Sequence, residues 1–305
     1  MLHTIIYWGA FAYFPFLLFA IWAMRKSHPA IRTFLVLAIL CTSCLAYGRF
    51  VEPRLLISHE ETIILDGASL DSPSIRVALF GDPHLGRFGN AMPMERIAKR
   101  INSENVDAVL VAGDLTYHPK VDKIPELFAP LEKIEAPLFI VFGNHDVGLP
   151  GPDLTNPLLK ALSDINVAVV HNRSHEIIIN DHPVIIGGTS DLWQRQMDFD
   201  FGDAFSQNET VLLLTHNPDM ATHIPDSLNY DLLLAGHTHG GQLRLPFLYQ
   251  KIIPTDYPFD KELHTYPAPS GDKLVYVTTG TGMVGLPMRF AMPPRIDILT
   301  IHLPQ

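Results

Sequence analysis

The stretch APLFIVFGNHD, residues 136–146, decides the fold. It runs apolar from Ala136 to Phe142, turns at Gly143, and ends in Asn144, His145 and Asp146. Burying an amide, an imidazole and a carboxylate without partners costs several kcal/mol. The triplet therefore belongs at the end of a buried strand, where it has something to bind. Other runs end in the same way. RVALFGD (76–82) leads into Asp82 and His84, DAVLVAGD (107–114) ends in Asp114, TVLLLTH (210–216) in His216, and DLLLAGH (231–237) in His237, with His239 two residues on. PVIIGG (183–188), KLVYVTTG (273–280) and RIDILTI (295–301) read as further strands, bounded by turn residues.

Apolar runs without strict alternation indicate strands covered on both faces. Helical patterns intervene at MERIAKRINSE (94–104) and NPLLKALSDI (156–165). The fold class expected is α/β, a layered α/β/β/α sandwich in one domain from residue 55 to 305, with Pro-rich loops above all at 244–271. In open α/β sheets ligands bind beyond the carboxyl ends of the strands, so five such ends on one edge would gather their polar groups. A D-x-H or H-x-H pair can put both side chains on one side of a strand end. Each motif alone is weak, since a single strand-end Asp is usually a turn or a cap. Five in order point to metal. Carboxylate, imidazole and amide oxygen suit Mn²⁺, Fe²⁺ or Zn²⁺.

The motifs GDPH (81–84), GD (113–114), GNHD (143–146), TH (215–216) and GHTH (236–239) together resemble the calcineurin-like metallophosphoesterase superfamily. The resemblance implies a two-metal centre. Asp82, His84 and His239 would hold one cation, Asn144, His216 and His237 the other, and Asp114 would bridge them. His145 would stand near the substrate as proton donor or as a stabiliser of transition-state charge, with Asp146 orienting it. GHTHGGQLRLP (236–246) and GTGMVGLPMRFAMPPRIDILTI (280–301) resemble the membrane-associated bacterial branch, which includes phosphodiesterases and a UDP-2,3-diacylglucosamine pyrophosphatase of lipid A synthesis. Thr215 stands where the family often has Gly. The activity implied is metal-dependent hydrolysis of a phosphodiester or pyrophosphate. A non-catalytic membrane-bound binding protein that keeps the fold is the alternative from another class. Arg289, Arg244 and Arg295 are candidate phosphate contacts, and Trp193, in the loop 190–203, is a candidate to stack on substrate. His118, His171, His175, His182 and His223 read as surface.

The front of the chain is different. Residues 2–24 hold no charge and are long enough to span a bilayer. RKSHPAIR (25–32) follows, then a second, shorter apolar run at 33–48. A membrane anchor over residues 1–50, with two helices, is expected; a cleaved signal peptide is the competing reading. The first fifty residues hold four basic and no acidic residues. The other 255 carry 18 basic and 32 acidic ones, a formal charge of −14. So acidic a domain does not suit nucleic acid, whose affinity rests on basic contacts to phosphate. The basic connection between the two runs favours a catalytic domain outside the cytoplasm, although Arg49 and Arg54 pull the other way. The anchor makes a lipid-linked phosphoester a compatible substrate. Both cysteines, Cys41 and Cys44, lie in the second apolar run.

Overall fold

The computed structural model describes residues 2–88, 91–202, 205, 209–269 and 271–304. Helix α1 (Leu2–Gly9) passes through a 3-10 turn at Ala10–Ala12 into α2 (Tyr13–Met24), and α3 (Pro29–Phe50) returns beside them. Both arms are long and apolar enough to cross a membrane. They leave Trp8, Leu18 and Phe34 more than 60% exposed. A band of that size on a protein surface marks an interaction site.

Alternate residues of a strand face opposite sides of its sheet, and β2 (Ser74–Phe80) buries both sets. Val77 and Leu79 enter a core shared by two sheets, while Ala78 and Phe80 pack outward under helices. In the second sheet, β10 (Thr210–Leu214) sends Leu212 and Leu214 inward and Val211 and Leu213 outward. Each fully buried side chain of this kind contributes roughly 1.5–3 kcal/mol by leaving water.

The first sheet runs in the order β1 (Ile57–Ile64), β14 (Arg295–His302), β2, β4 (Ala108–Ala112), β6 (Leu138–Val141), β7 (Ala168–Val169). From β2 to β7 the strands are parallel; β14 is antiparallel to β2 and parallel to β1. The second sheet runs β12 (Glu262–Ala268), β13 (Gly271–Val277), β11 (Leu232–Ala235), β10, β9 (His182–Gly188), β8 (Arg173–Ile179), parallel except at its two edges. A short parallel pair, β3 (Leu85–Gly86) and β5 (Thr116–Tyr117), lies beyond the first sheet's edge. α4 (Met94–Asn102), α5 (Ile124–Phe128) and α6 (Thr155–Ser163) cover the outside of the first sheet. Among the described residues, the outer layer over the second sheet consists of 3-10 turns, Asp200–Gly202 and Pro218–Thr222, with Phe199, Phe201 and Tyr266. This is the layered sandwich expected, with its fourth layer made of short turns.

The two ends of the helical hairpin meet the sandwich. Tyr7 stacks on Phe88 at 6.3 Å, and the Arg49 guanidinium lies 4.2 Å over the Tyr7 ring. At the end of α3 the Gly48 carbonyl accepts the Arg289 N–H at 2.9 Å, and the Glu52 carboxylate accepts the Met292 N–H.

Candidate metal centre and active site

The parallel strands β2, β4 and β6 of one sheet and β10 and β11 of the other deliver their carboxyl ends to one edge. There the backbone departs from regular geometry. Asp82, His84, Asp114, His237 and His239 all have positive φ, between 45° and 71°. Such residues cost of order 1–3 kcal/mol each and persist where a site over-determines them. Two glycines make room. A Cβ on Gly143 would sit 2.2 Å from Asp114 Oδ1, and one on Gly236 would sit 2.7 Å from Asp82 Oδ2.

Two clusters result. Asp82, His84 and His239 form one, and Asp114, His216 and His237 the other; within each, the donor atoms lie within 4.8 Å of one another, and all six residues are buried. Asp114 Oδ2 stands between them, 3.5 Å from His84 Nε2 and 3.3 Å from His216 Nε2. Asn144 turns its Oδ1 to within 3.1 Å of His216 Nε2, its Nδ2 being held by the Leu149 carbonyl. Backbone carbonyls orient two imidazoles: Ala112 O is 2.7 Å from His216 Nδ1 and Thr116 O is 3.4 Å from His84 Nδ1. An Nδ1–H given to a carbonyl leaves Nε2 free for a metal.

The donor set fits two cations. His84 and His239 face each other through Nε2 atoms 3.0 Å apart, and His216 Nε2 lies 3.0 Å from His237 Nδ1. Ring nitrogens this close can share a proton, and a cation in place of that proton would draw on both nitrogens of each pair. Burial keeps these rings neutral: His84 and His237 are pushed down to about 3, and His239 well below the usual range. His216 is the exception. Burial opposes its proton, but Asp114, with Asp82 and Asp191, raises it to about 10. It is the positive charge that three buried carboxylates demand, and a divalent cation would supply that charge instead. Burial pushes Asp82 up to about 7; it would raise Asp114 too, but His216 and His84 hold Asp114 well below the usual carboxylate range.

His145 stands at the mouth, half-buried, with ring centres of His84 and Tyr117 at 5.1 and 5.2 Å. Its N–H is held by Asp114 Oδ1 at 2.9 Å, and burial lowers its pKa despite Asp114. Tyr117 also stacks against Phe88, so an aromatic path runs from Tyr7 through Phe88 and Tyr117 to His145.

Several residues sit elsewhere than the sequence suggested. The Asp146 carboxylate does not orient His145. It is fully buried and accepts N–H groups of Leu115, Thr116 and Gly143 and the Thr116 hydroxyl, at 2.9–3.1 Å, pinning the turn that carries Asp114. Arg289 is fully buried behind His239 rather than facing substrate. It donates to the carbonyls of Gly282, Thr279 and Met292 at 2.7–3.1 Å, with Nη2 3.3 Å from His239 Nδ1. Arg244 is spent on Asp260 at 2.6 Å and on the Tyr249 ring, and Arg295 on Asp297 and Glu262 at 2.7 and 2.9 Å. Trp193, 46% exposed, stands edge-on to His237 at 4.8 Å. Phe199 and Phe201, later in its loop, pack on the second sheet, and residue 203 lies outside the described residues. His171 is half-buried near Phe142, not on the surface, and burial lowers its pKa; His118, His175 and His223 are exposed.

One acid escaped the sequence reading. Asp191, just past β9, is fully buried; its Oδ1 accepts the Trp193 N–H at 2.9 Å, and its Oδ2 has no hydrogen-bond partner among the described residues. It obeys the same strand-end rule as the others, three residues beyond where PVIIGG stops.

A family model described as calcineurin-like phosphoesterase matches residues 75–241. The chain is 29% identical over 260 residues to the uncharacterized metallophosphoesterase YkuE of Bacillus subtilis, covering 84% of this chain and 88% of that one. It is 28% identical over 272 residues to the phosphodiesterase YaeI of Escherichia coli, covering 86% and 94%. It is 24% identical over 277 residues to the UDP-2,3-diacylglucosamine pyrophosphatase LpxG of Chlamydia muridarum, covering 74% and 83%.

Proposed function

Because the chain belongs to the calcineurin-like phosphoesterase family and is a phosphoester hydrolase, we propose that it is a membrane-anchored phosphodiesterase working with two divalent cations. The observation that carries this reading is the pair of buried donor clusters joined by Asp114. When bound, the cations supply charge for a phosphoryl oxygen and lower the pKa of water. The rest falls to the chain. The imidazoles and Asn144 hold their donor atoms towards the centre, and Asp146 keeps the Asp114 turn in place. His145, outside the ligand set and at the mouth, is the group placed to protonate a leaving oxygen or steady its charge. Burial lowers its pKa although Asp114 opposes this; a negatively charged substrate facing the ring would favour the protonated form that a proton donor needs. Trp193 flanks the second cluster and suits an apolar or aromatic portion of the substrate.

The hairpin of α1–α3 is the proposed anchor, over residues 1–50. Arg25, Lys26 and Arg32 cluster at its far connection, while on the sandwich side Arg49 is buried over Tyr7. The positive-inside bias then favours an extracytoplasmic catalytic domain. Likeness to LpxG supports a second reading, cleavage of a UDP-linked diacylglucosamine.

The test uses full-length protein in detergent, with metal content measured. Bis(p-nitrophenyl) phosphate and UDP-2,3-diacylglucosamine are assayed side by side, with Mn²⁺ and with chelator. Chelator-sensitive cleavage of the simple diester is expected. UMP release from the lipid would favour the second reading. Neither activity with two metals bound would sink both.

A further inference from the structure

A cleft of about 220 Å³ opens directly from the metal ligands His237 and His239. Its walls are apolar: Leu243, Ile252 and Pro254 on one side, Val284 and Leu286 on the other. Gln242 ties the walls together, its Nε2 donating to the carbonyls of Val284 and Leu286 at 3.0 Å and its Oε1 accepting the Val284 N–H at 2.9 Å. A phosphate held by the metals would thus have a greasy slot beside it. The slot is smaller than the ~300–1,000 Å³ that encloses a whole drug-sized ligand, so it holds only the segment next to the phosphate.

What lies outside the slot indicates where the remainder goes. Leu245, Phe247, Leu248 and Ile252 are 41%, 86%, 55% and 58% exposed on the same wall segment. That wall is attached to the end of the second apolar helix through Phe290. Leu243 is bridged to Phe290, the Phe290 N–H is given to Gln242 O at 3.0 Å, and Arg244 N–H to Phe290 O at 2.9 Å. Phe290 in turn meets Tyr47 of α3 edge-on at 6.4 Å, next to the Gly48–Arg289 hydrogen bond. The segment that bears these exposed apolar residues is therefore tied through Phe290 to the end of the second apolar helix. Apolar side chains at that level belong in the bilayer interface, where polar ones belong around a slot for a soluble ligand.

Resting on the membrane-anchored hydrolase reading, we propose that this cleft takes the first part of the acyl or alkyl tail of a membrane-lipid phosphoester. The tail enters sideways from the leaflet along Leu245, Phe247 and Ile252, and its outer part stays in the bilayer. Leu286 and Ile252 grip the inner part while the phosphate reaches the metal centre.

Binding is measured by calorimetry on manganese-loaded full-length protein in nanodiscs, with empty nanodiscs subtracted. The probes are methyl phosphate, octyl phosphate and p-nitrophenyl phosphate. A buried methylene is worth ~0.8 kcal/mol, so octyl phosphate should bind more than about tenfold tighter than methyl phosphate. In Leu286→Glu and in Ile252→Glu that ratio should collapse towards one. Each variant is judged by its own ratio, so a general loss of metal or fold does not mimic the result. A wild-type ratio near one, a ratio unchanged in both variants, or an equal gain for p-nitrophenyl phosphate would overturn the proposal. Hydrolysis of bis(p-nitrophenyl) phosphate, run in parallel, separates the two readings. An intact octyl preference without hydrolysis supports the cleft and counts against the phosphodiesterase; hydrolysis without octyl preference does the reverse.

Discussion

Arg289→Met is the most telling perturbation of the centre that avoids its ligands. The guanidinium is fully buried and serves three carbonyls, Gly282, Thr279 and Met292. Methionine fills much of the volume but donates nothing. Each acceptor left dry costs ~1–3 kcal/mol. Part of that is offset because a buried cation no longer has to be stripped of water, and breaking a buried charged network typically nets about 3–5 kcal/mol. At ~2–4 °C per kcal/mol for a domain of this size, the melting temperature should fall by roughly 6–20 °C. A second effect is expected at the metal. With Nη2 3.3 Å from His239 Nδ1, the guanidinium fixes the orientation of that ring. Its loss should weaken metal affinity by ~10–100-fold, as for other groups behind a ligand. The assay is thermal unfolding of the detergent-solubilised protein in chelator, then across a Mn²⁺ titration, with Arg289→Lys as the intermediate case. A methionine variant melting within about 2 °C of wild type, with unchanged metal uptake, would refute the reasoning.

Four further outcomes follow from the geometry. His145→Ala should lose ~10²–10⁴ in turnover with both metals retained; wild-type turnover would remove the ring from the chemistry. Asp146→Ala leaves three buried N–H groups unpartnered and should destabilise by about 3 kcal/mol or more while loosening metal binding at Asp114; an unchanged denaturation midpoint would contradict this. In Gly48→Val a Cβ would meet Arg289 O at 2.8 Å, so the variant should lose ~1–3 kcal/mol together with diester hydrolysis; full activity would show that the helix end does not support the site. Partial burial raises the Glu262 pKa, but hydrogen bonds from Lys261 and Arg295 bring it from 4.5 to about 2. Its stabilisation is full above pH 4.5 and disappears as pH falls towards 2, so Glu262→Gln should flatten that limb of a stability–pH curve; a variant curve parallel to wild type would exclude the pairing.

The central strands and the ligand edge were legible because their chemistry is concentrated. An apolar run buried on both faces and ending in Asp or His, repeated along the chain, leaves those polar groups little to do except bind a cation. The outermost strands were not legible. β1, β7, β8 and β12 are the four edges of the two sheets, and β1, with the sequence ISHEETII, carries His, Glu, Glu and Thr in its middle. Edge strands carry such charges to resist pairing with other chains, which erases the apolar signal. Asp146 was misplaced because adjacency in sequence suggested adjacency in space, whereas neighbouring side chains diverge. It faces back under the Asp114 turn. For Arg289 the close approach of its Gly-rich turn to the centre was readable; whether it entered from the solvent or the rear was not, because that depends on Gly48 and Glu52, more than 230 positions away.

The place of β14 has a consequence for biosynthesis. β1 has one partner in its sheet, and that partner is β14, which also flanks β2. As the ribosome extends the chain, all the candidate ligand positions emerge by His239, yet β1 waits with its edge open until Arg295–His302 arrive. At ~5–20 residues per second the interval from Ile57 to Arg295 is roughly 12–48 s. Throughout it β1 and, once it is made, the β14-facing side of β2 lack their partner. A ribosome stalled short of residue 295 would release a protein that has every candidate ligand residue and an open sheet, the form that quality control would have to recognise.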